Sequence, residues 1–300
     1  MREYKDRLGQ EIDAAVAEQN NLRYSAMAHR NFPLASCFVL DCLDRGLDMD
    51  WGGARYNWIE CSFVGLATAT DSLAAIRTFI FEQRRLSWSE LHEMLQADFQ
   101  GHEAWRRRLI EKAPKYGNAI PEVDAIAREI MGFATARCRR HRVVLGGGYH
   151  PGLFAWIMHG QLGEQTGATP DGRHAGEAVS PGPDPVGGRA RCGPTAAVIS
   201  ATSFDHRPLL GGVAFNLRFS RSTLRDPERR QKAAALIRTY FRRGGAQAQI
   251  TVASAELLRK AKQRPEDHAD LLVRVAGFSD YFVNLTPTLQ EEIIAREEIG

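Results

Sequence analysis

The stretch Arg274-Val275-Ala276-Gly277-Phe278-Ser279-Asp280-Tyr281-Phe282 decides how the rest of the chain is understood. By its residues alone it is an apolar run, a glycine turn and a second apolar run. Gly277 there supplies a positive φ or a close backbone approach that a side chain would oppose. Just before it, Gln249–Ala253 and Leu271–Val275 have the texture of strands, and Phe282–Leu285 is expected to be another. Further upstream, Arg229–Arg243 reads as a helix stopped by Gly244-Gly245. Downstream, Thr286 and Pro287 open a last helix with Leu289, Ile293 and Ile294 on one face.

Toward the N-terminus, Tyr4, Leu8, Ile12, Ala15 and Val16 recur at helical spacing, and Pro33 closes that pattern. Asp71 or Ser72 is expected to cap a helix carrying Leu73, Ile76 and Ile80. Ser87 and Glu90 have the spacing of a capping box. Pro121 stands at the start of a helix that buries Val123, Ile126, Ile130 and Phe133. From Gly146 to Gly193 the chain is rich in glycine and proline and is expected to be mostly loop, long enough to suggest a working site. Helices alternating with short strands make the class α/β.

The 300 residues give room for one large domain or two ordinary ones. An apolar content of 44% with 25% charged residues excludes a disordered or collagen-like chain. Lys and Arg number 39 against 36 Asp and Glu, a net +3, which argues against nucleic acid as a partner. No run of eighteen apolar residues suggests a membrane span, and the start MREYKDRLGQEIDAA has no signal-peptide core. Cys37, Cys42, Cys61, Cys138 and Cys192 are odd in number and form no C-x-x-C pair. They read as reduced thiols in a cytoplasmic protein. The nine histidines lack metal-binding spacing, so no bound metal is expected.

Arg-Val-Ala-Gly-Phe-Ser at 274–279, followed by YFVNLTPTLQEEIIAR at 281–296, closely resembles the C-terminal signature of the glycyl radical enzymes, the pyruvate formate-lyase family. DCLDRGLDMDWGGARYN (41–57), DSLAAI (71–76), APKYGN (113–118), TGATPDGRHAG (166–176) and CGPTAA (192–197) resemble the same family, in order, so the likeness covers nearly the whole chain. It implies an α/β fold: the second half of a ten-stranded barrel over residues 1–177, then a glycyl radical domain over 178–300. It further implies that Gly277 stores a radical installed by a radical-SAM activating enzyme using S-adenosylmethionine. Arg274, Val275 and Phe278 would then shape and present the loop, although plain strand and turn packing accounts for them equally well. The chemistry suits glycine. A Cα radical is stabilised between the adjacent nitrogen and carbonyl in a flat centre, and a Cβ would crowd that planarity.

In this family the radical passes to a cysteine on a Gly-Cys loop, often Gly-Cys-x-Glu, upstream of the segment resembling residues 41–57. None of the five cysteines here follows a glycine. Cys61 is read as a wall or packing residue and the other four as buried small apolar residues. The chain alone is therefore expected to be inactive. Either a second chain carries the first half-barrel and the catalytic cysteine, or the frame is truncated. A homodimer is implied for the complete enzyme. Phe154 stands near a position where diol-dehydratase members often have tyrosine, which argues against small polyols as substrates. Asp171 and Arg173 are cavity candidates through the family likeness, against a plain turn at Thr169–Gly172. The Arg137–Arg142 run suits a helix C-terminus better than an anion site. The function expected is radical cleavage or elimination on a small organic substrate, of lyase, dehydratase or formate acetyltransferase type. The alternative is a non-catalytic radical-storing subunit that complements another chain.

Overall fold

The computed structural model describes residues 1–154, 158–275, 277–296 and 298–299. Its main elements are α1 (Arg2–His29), β1 (Ile59–Ser62), α2 (Leu66–Ile76), α3 (Trp88–Gln96), α4 (Glu103–Lys112), α5 (Pro121–Cys138), β2 (Tyr149–Gly152), α6 (Met158–Glu164), α7 (Gly193–Ala201), β3 (Ala214–Phe219), α8 (Pro227–Arg242), β4 (Gln247–Val252), α9 (Ala255–Gln263), β5 (Leu272–Arg274), β6 (Ser279–Tyr281), α10 (Pro287–Ala295) and β7 (Glu298–Ile299). Two compact units form: residues 1–62, 130–152 and 208–211, and residues 63–129, 153–207 and 212–300.

In the first unit β1 and β2 pair in parallel, Ile59 opposite Tyr149 and Ser62 opposite Gly152. Helix α1 buries Ile12 and Val16, one helical turn apart. Its polar side is tied down as well. Asp13 accepts from Arg137 Nε at 2.8 Å and pairs with His141 Nε2 at 2.9 Å. The Arg137 hydrogen bond holds the Asp13 carboxyl at about 2. Asn20 accepts from the Val144 N–H at 3.1 Å and from the Tyr149 hydroxyl at 3.0 Å.

In the second unit β4, β3 and β7 form a parallel sheet with β3 central. Phe215, Leu217 and Phe219 of β3 pack with Ala197, Val198 and Ala201 of α7 and with Ala233, Leu236 and Tyr240 of α8. A strand between parallel neighbours buries most of its residues, and AFNLRF is accordingly apolar at four of its six positions. β5 and β6 form an antiparallel hairpin. Val273 and Val275 of that segment join Leu258 and Ala261 of α9 and Ile293 and Ile294 of α10 in a separate core. This core anchors the turn that carries Gly277.

The predicted capping box is present: Ser87 Oγ accepts from the Glu90 N–H at 3.3 Å, and Glu90 Oε2 accepts from the Ser87 N–H at 2.8 Å. The helices expected from Pro121, Arg229 and Pro287 also form. Three expectations need correction. Asp71 and Ser72 do not cap a helix; α2 starts at Leu66 after Gly65, which takes φ 80°, and Asp71 is buried in mid-helix. Its Oδ1 accepts the Tyr116 N–H at 2.7 Å, a long-range use of a residue that looks like a local cap. Phe282–Asn284 is a 3-10 turn, and the strand lies earlier, at Ser279–Tyr281. Phe282 leaves the hairpin because its ring enters the core. Residues 146–193 are mostly loop, as expected, with β2 and α6 the short elements among the described residues. Finally, Cys37 and Cys192 are exposed, whereas Cys42 and Cys138 are buried.

His206 is 4% exposed. Its Nε2 lies 2.8 Å from the Ala201 carbonyl, and its Nδ1 accepts the Ala246 N–H at 3.2 Å. Both bonds are made only by a neutral ring carrying its proton on Nε2. Burial pushes its pKa below the ordinary 6.5, and the Ala201 carbonyl and Asp205 offset this only in part. Below that pH the unfolded chain binds the proton that the folded chain refuses, so stability falls as pH falls. The slope is at most about 1.4 kcal/mol per pH unit, the ceiling for one proton, and ends at the folded-state pKa. Denaturant unfolding between pH 7.5 and 5.5 should show a steeper loss in wild type than in His206→Gln. Parallel curves would contradict it.

Candidate functional site

Gly277 sits in the turn between β5 and β6 at φ +91°. The turn closes with the Val275 N–H donating to the Phe278 carbonyl at 2.9 Å. A Cβ placed on Gly277 would lie 2.4 Å from Phe154 Cζ and 3.1 Å from Phe154 Cε2. Glycine is thus selected twice, by a left-handed φ and by an aromatic ring pressed against its Cα. Two residues singled out from the sequence for different reasons, Gly277 and Phe154, are in contact.

Side chains hold the turn from two directions. From β4, Gln249 Oε1 accepts the Gly277 N–H at 2.9 Å. Thr251 Oγ1 accepts the Arg274 N–H at 3.3 Å and lies 3.4 Å from the Arg274 carbonyl. Just after α10, Arg296 donates from Nη1 to the Arg274 carbonyl at 2.8 Å and from Nη2 to the Val275 carbonyl at 2.6 Å. Glu292 pairs with the same guanidinium at 2.9 Å, with both side chains nearly buried. Val275 is buried in the hairpin core, while Arg274 Nη1 approaches Ser279 Oγ at 3.4 Å. Phe278 is 38% exposed and Gly277 is exposed too. The flanking apolar residues therefore do not screen Gly277: Val273, Val275 and Phe282 enter the core, Leu272 and Tyr281 face outward, and the tip of the turn stays outside.

Asp171 and Arg173 are both buried. Asp171 Oδ1 accepts from Thr169 Oγ1 at 2.5 Å and from the Arg173 N–H at 3.3 Å. Arg173 donates to Thr169 Oγ1 and to the carbonyls of Thr166, Gly167 and Glu177. These bonds fold the 166–177 loop on itself, and none of them reaches the Gly277 turn. Lys115 Nζ donates to the Asp171 carbonyl at 3.2 Å. Burial pushes Lys115 down and Asp71 up to about 7. The segments at 71–76, 113–118 and 166–176 thus meet in one buried polar knot. Arg173 and Arg296 do share a cavity of about 600 Å³, also lined by Asp184, Arg189, Asn216 and Glu292. Burial raises the Asp184 carboxyl to about 7 despite two bonds from Asn216.

Cys61 lies on β1 in the first unit. The neighbouring Cys138 thiol holds Cys61 below the ordinary thiol range, and the same interaction with burial pushes Cys138 up. Among the described residues no group of three or more His, Cys, Asp or Glu is arranged to hold a metal, and no helix is long and apolar enough to cross a membrane.

The family profile described as pyruvate formate lyase-like matches residues 1–163, and the one described as glycine radical matches residues 179–283, across the turn just described. The chain belongs to the glycyl radical enzyme family. Among glycyl radical enzyme relatives, trans-4-hydroxy-L-proline dehydratase of Clostridioides difficile is 37% identical over 295 residues, 98% of this chain and 37% of the relative. Isethionate sulfite-lyase of Bilophila wadsworthia is 32% identical over 257 residues, 85% of this chain and 31% of the relative. The glycerol-bound B12-independent glycerol dehydratase from Clostridium butyricum superposes with a TM-score of 0.94 at 34% identity, over 99% of this chain and 38% of that one. The chain thus spans about a third of the length of these glycyl radical enzymes.

Three residues that hold the turn escaped the sequence: Gln249, Thr251 and Arg296. For the first two a signal exists. In β4 the polar Gln249 and Thr251 are buried, while Ile250 is 42% and Val252 38% exposed, the reverse of a strand with an apolar inner face. Arg296 has no such mark, since an arginine after a helix reads as an ordinary C-terminal cation.

Proposed function

We propose that Gly277 is the radical-storage residue of a pyruvate formate-lyase-like enzyme, with residues 1–177 the second half of the barrel and 178–300 the glycyl radical domain. The observation that carries this is the turn itself. It combines a φ that side chains rarely adopt, an aromatic ring in place of a Cβ, and an N–H held by a buried amide. An activating enzyme using S-adenosylmethionine supplies the radical, which abstracts hydrogen by way of a thiol and so starts cleavage or elimination on a small organic substrate. Arg274, Val275 and Phe278 shape the turn. Phe154 offers an apolar face beside Gly277 and no hydroxyl, which disfavours polyols and leaves open dehydration, C–S or C–C cleavage and acetyl transfer.

The exposure of Gly277 leaves the turn open to further protein. Oxygen destroys a Cα radical, so a first half-barrel with a Gly-Cys loop, on a second chain or on the same one, would cover the turn. The completed cytoplasmic enzyme would then assemble as a homodimer. Of the two cavity candidates, Arg173 lines the 600 Å³ space, and Asp171 acts on it only through the bonds it makes within the 166–177 loop.

The chain activated anaerobically by itself should therefore carry the radical yet turn over none of a panel of hydroxyproline, isethionate, glycerol and pyruvate, because no cysteine follows a glycine. Turnover that disappears in Cys61→Ser would overturn this and make Cys61 the catalytic thiol.

A further inference from the structure

Gln249 is 3% exposed, and among the described residues its buried amide Nε2 has no hydrogen-bond partner. Its orientation follows from the partner, since the Gly277 N–H can only donate and the atom 2.9 Å away must be Oε1. A methionine or leucine would fill the same volume without burying an unpaired donor, which costs stability. The strand accepts that cost at the position whose side chain, among the described residues, reaches the Gly277 nitrogen.

We propose that Gln249 is a positioning residue that tunes Gly277 electronically. Its Oε1 draws on the N–H and strengthens the nitrogen's donation into the flat Cα centre, while fixing that N–H in the turn. This rests on Gly277 being the radical-storage residue. The geometry separates it from the other holds on the turn. Thr251 and Arg296 bond to residues 274 and 275, outside the conjugated N–Cα–C unit of Gly277, and act on placement alone.

The test uses the full chain labelled with [15N]glycine and activated anaerobically with its activating enzyme, S-adenosylmethionine and a reductant. Wild type, Gln249→Met and Gln249→Glu are compared by electron paramagnetic resonance. The same proteins, unactivated, are followed by amide hydrogen exchange at Gly277. In Gln249→Met the 15N coupling should shrink, radical yield should fall about tenfold, and the amide should exchange about tenfold faster, the loss of one hydrogen bond. Gln249→Glu keeps the acceptor and should restore all three. An unchanged 15N coupling in Gln249→Met, whatever its yield, overturns the tuning role while leaving Gly277 as the storage residue. Failure of Gln249→Glu to restore the exchange protection overturns the positioning role. Absence of any glycine-centred signal in wild type overturns the reading of Gly277 and this inference with it.

Discussion

Gly277→Ala is expected to lower stability by about 2–4 kcal/mol and to abolish radical formation outright. The stability loss has two sources. An alanine at φ +91° costs roughly 1–3 kcal/mol of backbone strain. A Cβ 2.4 Å from Phe154 Cζ forces that ring aside, which costs about 1 kcal/mol or more. Gly244 separates the two, because it has φ +92° with nothing within 4 Å of its Cβ position. Gly244→Ala should therefore cost only the strain. The double variant Phe154→Ala/Gly277→Ala should cost less than the two single variants summed. Denaturant unfolding would measure all four. If Gly277→Ala and Gly244→Ala cost the same, Phe154 does not press on the glycine.

Arg296→Ala is expected to cost about 3–5 kcal/mol, the range for breaking a buried ion pair by removing one partner. It strands Glu292, nearly as buried as Arg296 itself, and frees the carbonyls of Arg274 and Val275. Arg296→Lys keeps the charge but not the fork that spans two carbonyls and a carboxylate. It should recover part of the stability while leaving the 274–278 turn open to proteolysis. Limited proteolysis with mapping of cuts in that turn distinguishes the two effects. A turn as resistant in Arg296→Ala as in wild type would show that β4 alone holds it.

The sequence made the regular elements with strong end signals legible: the Ser87–Glu90 box, Pro121, the Gly244-Gly245 stop and the Thr286-Pro287 start. Each is a local rule that tertiary packing had no reason to overrule. Asp71 failed because its carboxylate serves a backbone N–H forty-five residues away, which no local pattern contains. Gly277 was visible only through resemblance, since a single glycine between apolar runs has many ordinary uses. What holds it was hidden for a physical reason. Gln249 and Thr251 accept from the turn and Arg296 donates to it, all across the fold, and only the alternation Gln-Ile-Thr-Val hinted at the first two. The exposed tip was likewise unreadable, because flanking apolar residues say which side chains enter a core but not whether the backbone between them does.

The central claim, radical storage at Gly277, is tested most directly by mass spectrometry of the chain after anaerobic activation and exposure to air. Oxygen reaching a backbone-centred radical breaks the chain at that residue. One new C-terminal piece beginning near Phe278 is expected, in proportion to the radical measured beforehand, and none in Gly277→Ala. An intact chain despite a measured organic radical, or the same cut in Gly277→Ala, would place the radical elsewhere and contradict the account.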